Sequence, residues 1–309
     1  MFGSTTTSEF ELSPPAGNTR FPNLFIIGAS KAGSSALHAY LDLHPHIAMS
    51  SEKEPCFFVD QEELRTAWPI MARNPCSHDR EAYLALWQGK QDAAFWGESS
   101  VYYSQSPHRS GVPASISSAT PDARIIYIVR EPVTRAISHY WQRVQQFQET
   151  LPIEDAMRQH SIYRDTSDYA LQLNQYLRHF DRDRIHIVIA ENLRSDRVKT
   201  VQECIEWLGL PAFDFDPSQL SERHVSGASS RRPRLPFITA ARNSSAWAAA
   251  RKRLPVHIID KLRRYSTTSF DKKSFDDRAA RQYLTEYFKP RRAEFEQLIG
   301  RSIDAWPAP

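Results

Sequence analysis

Four short apolar runs, each closing on glycine or polar residues, punctuate the first 200 residues. Leu24-Phe25-Ile26-Ile27 ends in Gly28, and Ala94-Phe95-Trp96-Gly97-Glu98 ends in Ser99-Ser100. RIIYIV, from Arg124 to Val129, ends in Arg130-Glu131-Pro132, and IHIVIA, from Ile185 to Ala190, ends in Glu191-Asn192. Runs of this length bounded by turn signals read as buried strands. Ile47 to Met49 reads as a further short strand. Between the runs apolar residues recur at helical spacing. Ala36, Leu37, Tyr40 and Leu41 predict a helix ending near His44-Pro45. Further helices are expected over 81–88, ahead of Pro121, and over 133–146, 153–160, 168–180 and 198–208, the last stopped by Gly209. The stripe Tyr169, Leu173, Tyr176, Leu177 and Phe180 reads as core. Strands alternating with helices predict an α/β architecture, one central and mainly parallel sheet flanked by helices on both faces.

The first strand feeds its helix through Ala29-Ser30-Lys31-Ala32-Gly33-Ser34-Ser35, small residues around one cation. The open N–H groups and positive dipole end of the helix form an anion site, and Gly28 and Gly33 let the backbone turn sharply against a phosphate. This is not a Walker A loop, which needs Lys and Ser/Thr directly after its second Gly. Lys31 lies two residues before Gly33, at the loop entrance, where it would meet the bridging oxygen of a leaving phosphate. The bland alternative is an ordinary strand-turn-helix with a solvated Lys. A second anion site is expected at Arg130, at a strand's carboxyl end where α/β folds bind ligands, with Ser138 projecting back from the next helix. A guanidinium fork and a hydroxyl suit a phosphate. The alternative pairs Arg130 with a carboxylate such as Glu131. No Walker B acid follows RIIYIV and no Mg²⁺ carboxylate is placed there, so these features suit a donor with two separated phosphates and no obligatory metal.

Two polar stretches complete the candidate chemistry. In Ser50–Asp60 the acids lie directly against Phe57 and Phe58, and partial desolvation there would make a carboxylate a better general base. The alternative is a polar loop anchored by its aromatics. Glu222–Arg234, rich in Gly, Ser and Arg, reads as a loop able to close over a bound phosphate.

Composition adds bounds. The 309 residues, 41% hydrophobic and 24% charged, are ordinary for a globular protein. Residues 1–20 are Ser/Thr/Pro-rich and expected to be disordered, without signal-peptide character; residues 21–309 read as a single domain with a basic, mostly helical C-terminal part in which Pro255 and Pro290 mark helix starts or breaks. No apolar stretch is long enough to span a bilayer. Cys56, Cys76 and Cys204 are odd in number and lack metal-ligand spacing, which favours a reducing, cytoplasmic setting. The net charge of +3 hides an asymmetry: Arg231 to Arg301 holds 18 Lys/Arg against 7 Asp/Glu, a net +11, and the remainder is −8. Most of that charge reads as solvated helix faces, with some available to an anionic ligand. No aromatic-interleaved basic repeat points to DNA or RNA.

Taken in order, IIGASKAGSSAL, KEPCFFVD, FWGESSVYY, IIYIVREPVTRAISHYW, EWLGL and HVSGASSRRPR resemble the motifs of sulfotransferases that use 3′-phosphoadenosine 5′-phosphosulfate (PAPS), most of all the heparan sulfate N- and 3-O-sulfotransferase branch and its soluble bacterial relatives. The resemblance covers about Phe21 to Leu235. It implies a P-loop-like three-layer fold and transfer of a sulfuryl group from PAPS to a hydroxyl or amine, leaving 3′-phosphoadenosine 5′-phosphate (PAP), with no metal required. The implied acceptor is a carbohydrate or a small natural product. Position by position, it implies that Lys31 stabilises the leaving oxygen, Ala32, Gly33, Ser34 and Ser35 cradle the 5′-phosphate, Arg130 and Ser138 hold the 3′-phosphate, and Glu54 is the general base. Gly227, Arg231 and Arg232 fall in a donor-binding loop. Cys56, Phe57, Ser99 and Tyr103 fall on the acceptor side; Cys56 stands where many relatives carry His and Ser99 where the heparan sulfate enzymes carry Lys. A nucleotide kinase-like phosphotransferase and a non-catalytic PAP-binding module are the alternative functions. Oligomeric state is not legible.

Overall fold

The structure is a computed structural model that describes residues 20–90, 92–146, 148–216, 218–220, 229–233, 247, 258, 267–271 and 274–307. Its centre is a five-stranded sheet of β1 (Leu24–Ile26), β2 (Ile47–Met49), β3 (Phe95–Ser99), β4 (Arg124–Val129) and β5 (Ile185–Ile189) in the order β2-β3-β1-β4-β5. Every pairing is parallel, with Leu24 opposite Gly97 on one side and Arg124 on the other. Parallel strands covered on both faces need continuous apolar sequence. Accordingly Leu24 to Ile27 and Ile125 to Val129 are fully buried.

Helices fill the crossovers. These are α1 (Ser34–Leu41), α2 (Gln61–Ala67), α3 (Arg80–Leu84), α4 (Val112–Ala119), α5 (Pro132–Gln145), α6 (Ile153–Gln159), α7 (Ile162–Asp165), α8 (Tyr169–Leu177), α9 (Ala190–Ser195) and α10 (Arg197–Trp207). Their starts follow local capping chemistry. Asp60, Asp168 and Asp196 cap α2, α8 and α10. Glu131 caps α5 by accepting from the Val133 and Thr134 amides at 2.9 and 2.7 Å, with Pro132 in the first turn. Gly209, at φ 73°, follows α10 and ends it as expected. The central parallel sheet flanked by helices, and the P-loop-like α/β fold, are thus as the sequence implied.

The C-terminal part departs from expectation in two places. Ser229–Pro233, read as part of a loop, forms β6 and pairs antiparallel with β7 (Thr267–Asp271). Pro290 breaks nothing: it lies inside α11 (Arg278–Ile299), which runs 22 residues to Gly300. Tertiary packing outweighs the lost N–H, because Ala280, Leu284 and Phe288 bury against Val133, Ile137 and Trp141 of α5. Pro255 and the 1–19 segment lie outside the described residues.

Close approach demands glycine at the end of β1. Gly28 has φ 129°, and a Cβ there would lie 2.2 Å from Ser104 Oγ. Gly28→Ala is therefore expected to lower stability by about 1–3 kcal/mol from backbone strain alone, before the clash is counted. Urea denaturation of the two proteins measures it.

Candidate active site

Strands β3, β1 and β4 are neighbours, so the segments leaving their carboxyl ends share one crevice. The segment after β1 continues the ladder to β4: Ile128 N–H donates to the Gly28 carbonyl at 2.8 Å and Ala29 N–H to the Ile128 carbonyl at 2.5 Å. Lys31 then takes φ 71° and Gly33 φ 104°, and Gly33 caps α1 without a side-chain bond. Among the described residues the amides of Gly33, Ser34 and Ser35 donate to no backbone carbonyl. These are the open donors at a helix start that an anion can take. Ser34 is buried and Lys31 and Ser35 half-buried, so Ala32, Gly33, Ser34 and Ser35 form a lined turn rather than a free loop.

Arg130 leaves β4 beside this turn, its Nη1 donating to the Lys31 carbonyl at 3.2 Å. The alternative pairing with Glu131 is not what the structure shows, since the Glu131 carboxylate is engaged in capping α5. Arg130 makes no ion pair among the described residues. Burial first, and then the neighbouring Arg194, weaken its hold on its proton. A half-buried guanidinium without an ion partner among the described residues is suited to take an anion. Ser138, two turns along α5, is half-buried and without a hydrogen bond among the described residues. Arg231 and Arg232 lie in β6, whose backbone packs against α5. Gly227 lies outside the described residues.

Beneath the turn lies a residue that the sequence reading missed. Arg135 of α5 is fully buried and donates to Ser167 Oγ at 2.5 Å, the Tyr163 carbonyl at 2.7 Å, His139 Nδ1 at 3.3 Å and the Ser30 carbonyl at 3.5 Å. All four acceptors are neutral. His139 is held uncharged by burial and by Arg135, well below the usual histidine range. Burial brings the Arg135 guanidinium down to about 10, still charged at neutral pH.

On the other side of the crevice Glu54 takes φ 62° and donates its N–H to the Ser99 carbonyl at 2.9 Å. Its Oε2 accepts from the Val101 N–H at 2.7 Å, and its Oε1 is paired with Lys53 Nζ. Two donors thus hold the carboxylate as an acceptor with one edge still able to meet a hydroxyl. Lys31, Glu54 and Cys56 are the non-glycine residues at positive φ among the described ones. Each costs about 1–3 kcal/mol, and such residues gather at functional sites.

The sequence profile of the sulfotransferase family matches residues 22–215. The chain belongs to the sulfotransferase family. Human heparan sulfate glucosamine 3-O-sulfotransferase 6 is 31% identical over 212 residues, 64% of this chain and 55% of that protein. Bifunctional heparan sulfate N-deacetylase/N-sulfotransferase 1 of Caenorhabditis briggsae is 26% identical over 221 residues, 63% of this chain and 23% of that protein. This family member therefore spans about half the length of the one and about a quarter of the other. Among solved structures, a sulfotransferase from Alicyclobacillus acidocaldarius superposes with a TM-score of 0.64 at 27% identity, covering 93% of this chain and 99% of that one. Among the described residues no helix is long and apolar enough to cross a membrane.

The acceptor-side expectations are redistributed by the structure. Cys56 and Ser99 are fully buried and Tyr103 nearly so. Burial pushes the Cys56 thiol well above its ordinary value. Ser99 Oγ is bonded to His38 Nδ1 at 2.9 Å. Phe57 stacks on Tyr83 at 4.2 Å and stays half-buried. These side chains build the wall from behind. The neighbour that the sequence reading passed over, Tyr102, is half-buried, stacks on Trp68 at 5.8 Å and lies near Glu54, Cys56 and Arg109.

Behind this wall stands Glu98 of β3, also missed. It is fully buried and accepts from Tyr83 and Tyr103 hydroxyls at 2.8 Å each and from Ser100 Oγ at 3.3 Å. Burial outweighs these donors and raises its carboxyl from 4.5 to about 7. Between those two pH values the folded chain binds a proton that the unfolded chain releases. Stability is therefore expected to fall by about 3 kcal/mol as pH rises from 4.5 to 7 and to level off above, and Glu98→Gln should flatten that slope. Denaturant midpoints collected across the range test it.

Proposed function

We propose that the chain transfers a sulfuryl group from PAPS to a hydroxyl or amine of a carbohydrate or small natural-product acceptor. The observation that carries this is the joining of two anion sites on adjacent strand ends: Arg130 Nη1 reaches the carbonyl of Lys31 itself, at 3.2 Å. The residues fit such a donor. Among the described residues, Gly33, Ser34 and Ser35 offer amides open beside Lys31, and Arg130 and Ser138 offer a charged fork and an unbonded hydroxyl one strand away. PAPS supplies the sulfuryl group on a phosphate leaving group.

Within that reading Lys31 and the open amides of Gly33, Ser34 and Ser35 stabilise the charge that grows on the departing phosphate oxygen, electrostatic catalysis by preorganised donors, while the Ala32 amide, bonded to the Ala29 carbonyl, shapes the turn. Arg130 and Ser138 hold the 3′-phosphate, with Gly227, Arg231 and Arg232 in the covering segment. Glu54 accepts the proton of the attacking hydroxyl while the new S–O bond forms and the bond to the 5′-phosphate breaks. No residue on this path calls for a metal. Lys53, paired with Glu54, helps to keep that carboxylate aimed.

Glu54→Gln is expected to lower turnover about 10²–10⁴-fold and Lys31→Ala about 10²–10³-fold. Both variants should still bind PAP, because the 3′-phosphate contacts remain; near-normal turnover in either removes its assigned role. Calorimetric titration of PAP should show binding that Arg130→Ala weakens roughly 10- to 100-fold, the loss of one charged hydrogen-bonding pair, with ATP binding poorly. A preference for ATP with Mg²⁺ would instead favour a phosphotransferase, and tight PAP binding without turnover across an acceptor panel would favour a binding module.

A further inference from the structure

The segment 54–58 carries the residue assigned as base, yet it is neither helix nor strand. Glu54 and Cys56 sit at φ 62° and 56°, which L-residues rarely hold unaided. The restraints come from residues 98–103. Cys56 N–H donates to Ser100 Oγ at 3.2 Å, and Phe58 N–H donates to the Tyr103 hydroxyl oxygen at 3.3 Å. Each of those hydroxyls has one hydrogen, and each sends it to Glu98, Ser100 to Oε2 and Tyr103 to Oε1. Tyr83 adds a third hydrogen at Oε1. The network is directional: amide to hydroxyl to carboxylate, twice over, converging on one buried group.

The direction depends on charge. As a carboxylate, Glu98 only accepts, so both hydroxyl oxygens keep their lone pairs turned toward the two amides. As an acid it must donate its own proton to one of its three hydroxyl partners. Where that is Ser100 or Tyr103, the hydroxyl turns its own hydrogen away from Glu98 and its two lone pairs are then shared between the acid and the amide, which weakens the hold on the segment. No cation reaches Glu98 among the described residues. The titratable groups facing it are Tyr83 from α3, Tyr103 from the turn after β3, Tyr176 from α8, Cys76 from the 75–77 turn, and Glu54 and Cys56 from the segment itself.

We propose that Glu98 is a positioning residue for the transfer reaction: through Ser100 and Tyr103 its carboxylate locks the backbone of residues 56–58 and so aims Glu54 at the acceptor. The positioning of the segment stands on the geometry alone; its bearing on catalysis rests on the role assigned to Glu54 above. The charged form of Glu98, which the segment needs, gains population as pH passes about 7.

Hydrogen–deuterium exchange on the full chain tests this without an acceptor. In the wild type, after correction for intrinsic rates, the amides of 54–60 should be better protected at about pH 8 than at about pH 6. Glu98→Gln should abolish that difference and speed exchange in 54–60 about tenfold, the loss of one hydrogen bond, while leaving 24–35 unchanged. Ser100→Ala keeps Glu98 and cuts one bridge, so it should loosen 54–60 in the same way should the Gln variant fail to fold. The second readout is release of PAP from PAPS with p-nitrophenol as probe acceptor. Glu98→Gln should lower it about 10²-fold, the cost of a base displaced by an ångström, and erase a rise through pH 7, with PAP affinity within about twofold of wild type. Unchanged protection of 54–60 in the folded variants would overturn the proposal, whatever happens to turnover. Absence of PAP binding to the wild type would overturn the donor assignment and leave the exchange result to decide the positioning.

Discussion

The turn after β1 has only two small apolar side chains, Ala29 and Ala32, with which to anchor itself, and the crevice depends on how it is held. Both are buried in the core but offer little apolar area, so most of the restraint is polar and comes from β4 and α5. The β1–β4 ladder runs on past the strand through Gly28 and Ala29. The Ser30 and Lys31 carbonyls are then taken by Arg135 and Arg130. Two elements separated by a hundred residues of sequence thereby become one rigid unit. The hold extends outward: Glu131 N–H donates to Glu191 Oε1, and the other oxygen of Glu191 accepts from Trp306 Nε1 at 2.9 Å. The chain's last described residues are thus tied to the start of α5, and α11 covers it.

The sheet was legible because burial on both faces leaves a direct mark, an unbroken apolar run. RIIYIV is β4 to the residue, and IHIVIA overshoots β5 by one. The turn after β1, proposed to hold the donor, was legible for a related reason: it is built largely from backbone, and the small residues and glycines that a close-packed turn demands are themselves a pattern. Elsewhere the mark is missing. Ser-Ser-Arg-Arg-Pro has neither alternation nor β-branched residues, and its partner strand begins more than thirty residues later, so nothing local announces β6. Pro290 reads as a break because its missing N–H is a local cost, whereas the packing of Leu284 and Phe288 that offsets it is tertiary.

The burial of the residues expected on the acceptor side was not legible, for a reason rooted in the sheet. Along a strand buried on both faces there is no in–out alternation to follow. Glu98, Ser99 and Ser100 therefore look like the polar turn that ends an apolar run, when all three are wholly buried. Tyr102 and Tyr103 are adjacent aromatics with no periodicity to separate them. Only the structure shows that Tyr102 is half-buried and Tyr103 buried. The signal that was present is chemical: a carboxylate within two residues of a serine and five of a tyrosine has neutral donors at hand, which is what a buried acid without a cation requires.

Glu98 and Arg135 form a pair in this sense, although they do not touch. Each is a fully buried charge satisfied by neutral dipoles, with no ion partner among the described residues. Burying either costs several kcal/mol, and a hydrophobic residue would be cheaper at each place. Their positions give the cost a direction. Arg135 lies behind the turn proposed to meet the leaving phosphate, and Glu98 lies behind the segment proposed to meet the attacking hydroxyl. Sulfuryl transfer moves negative charge from the attacking oxygen toward the departing phosphate, and in the in-line geometry proposed here that movement runs from the Glu98 side to the Arg135 side. A positive charge behind the group that gains electrons and a negative one behind the group that loses a proton both favour the transition state over the ground state. With Glu98 in its charged form, both groups are held by hydrogen bonds within the fold, so neither has to reorganise when the proposed reaction occurs.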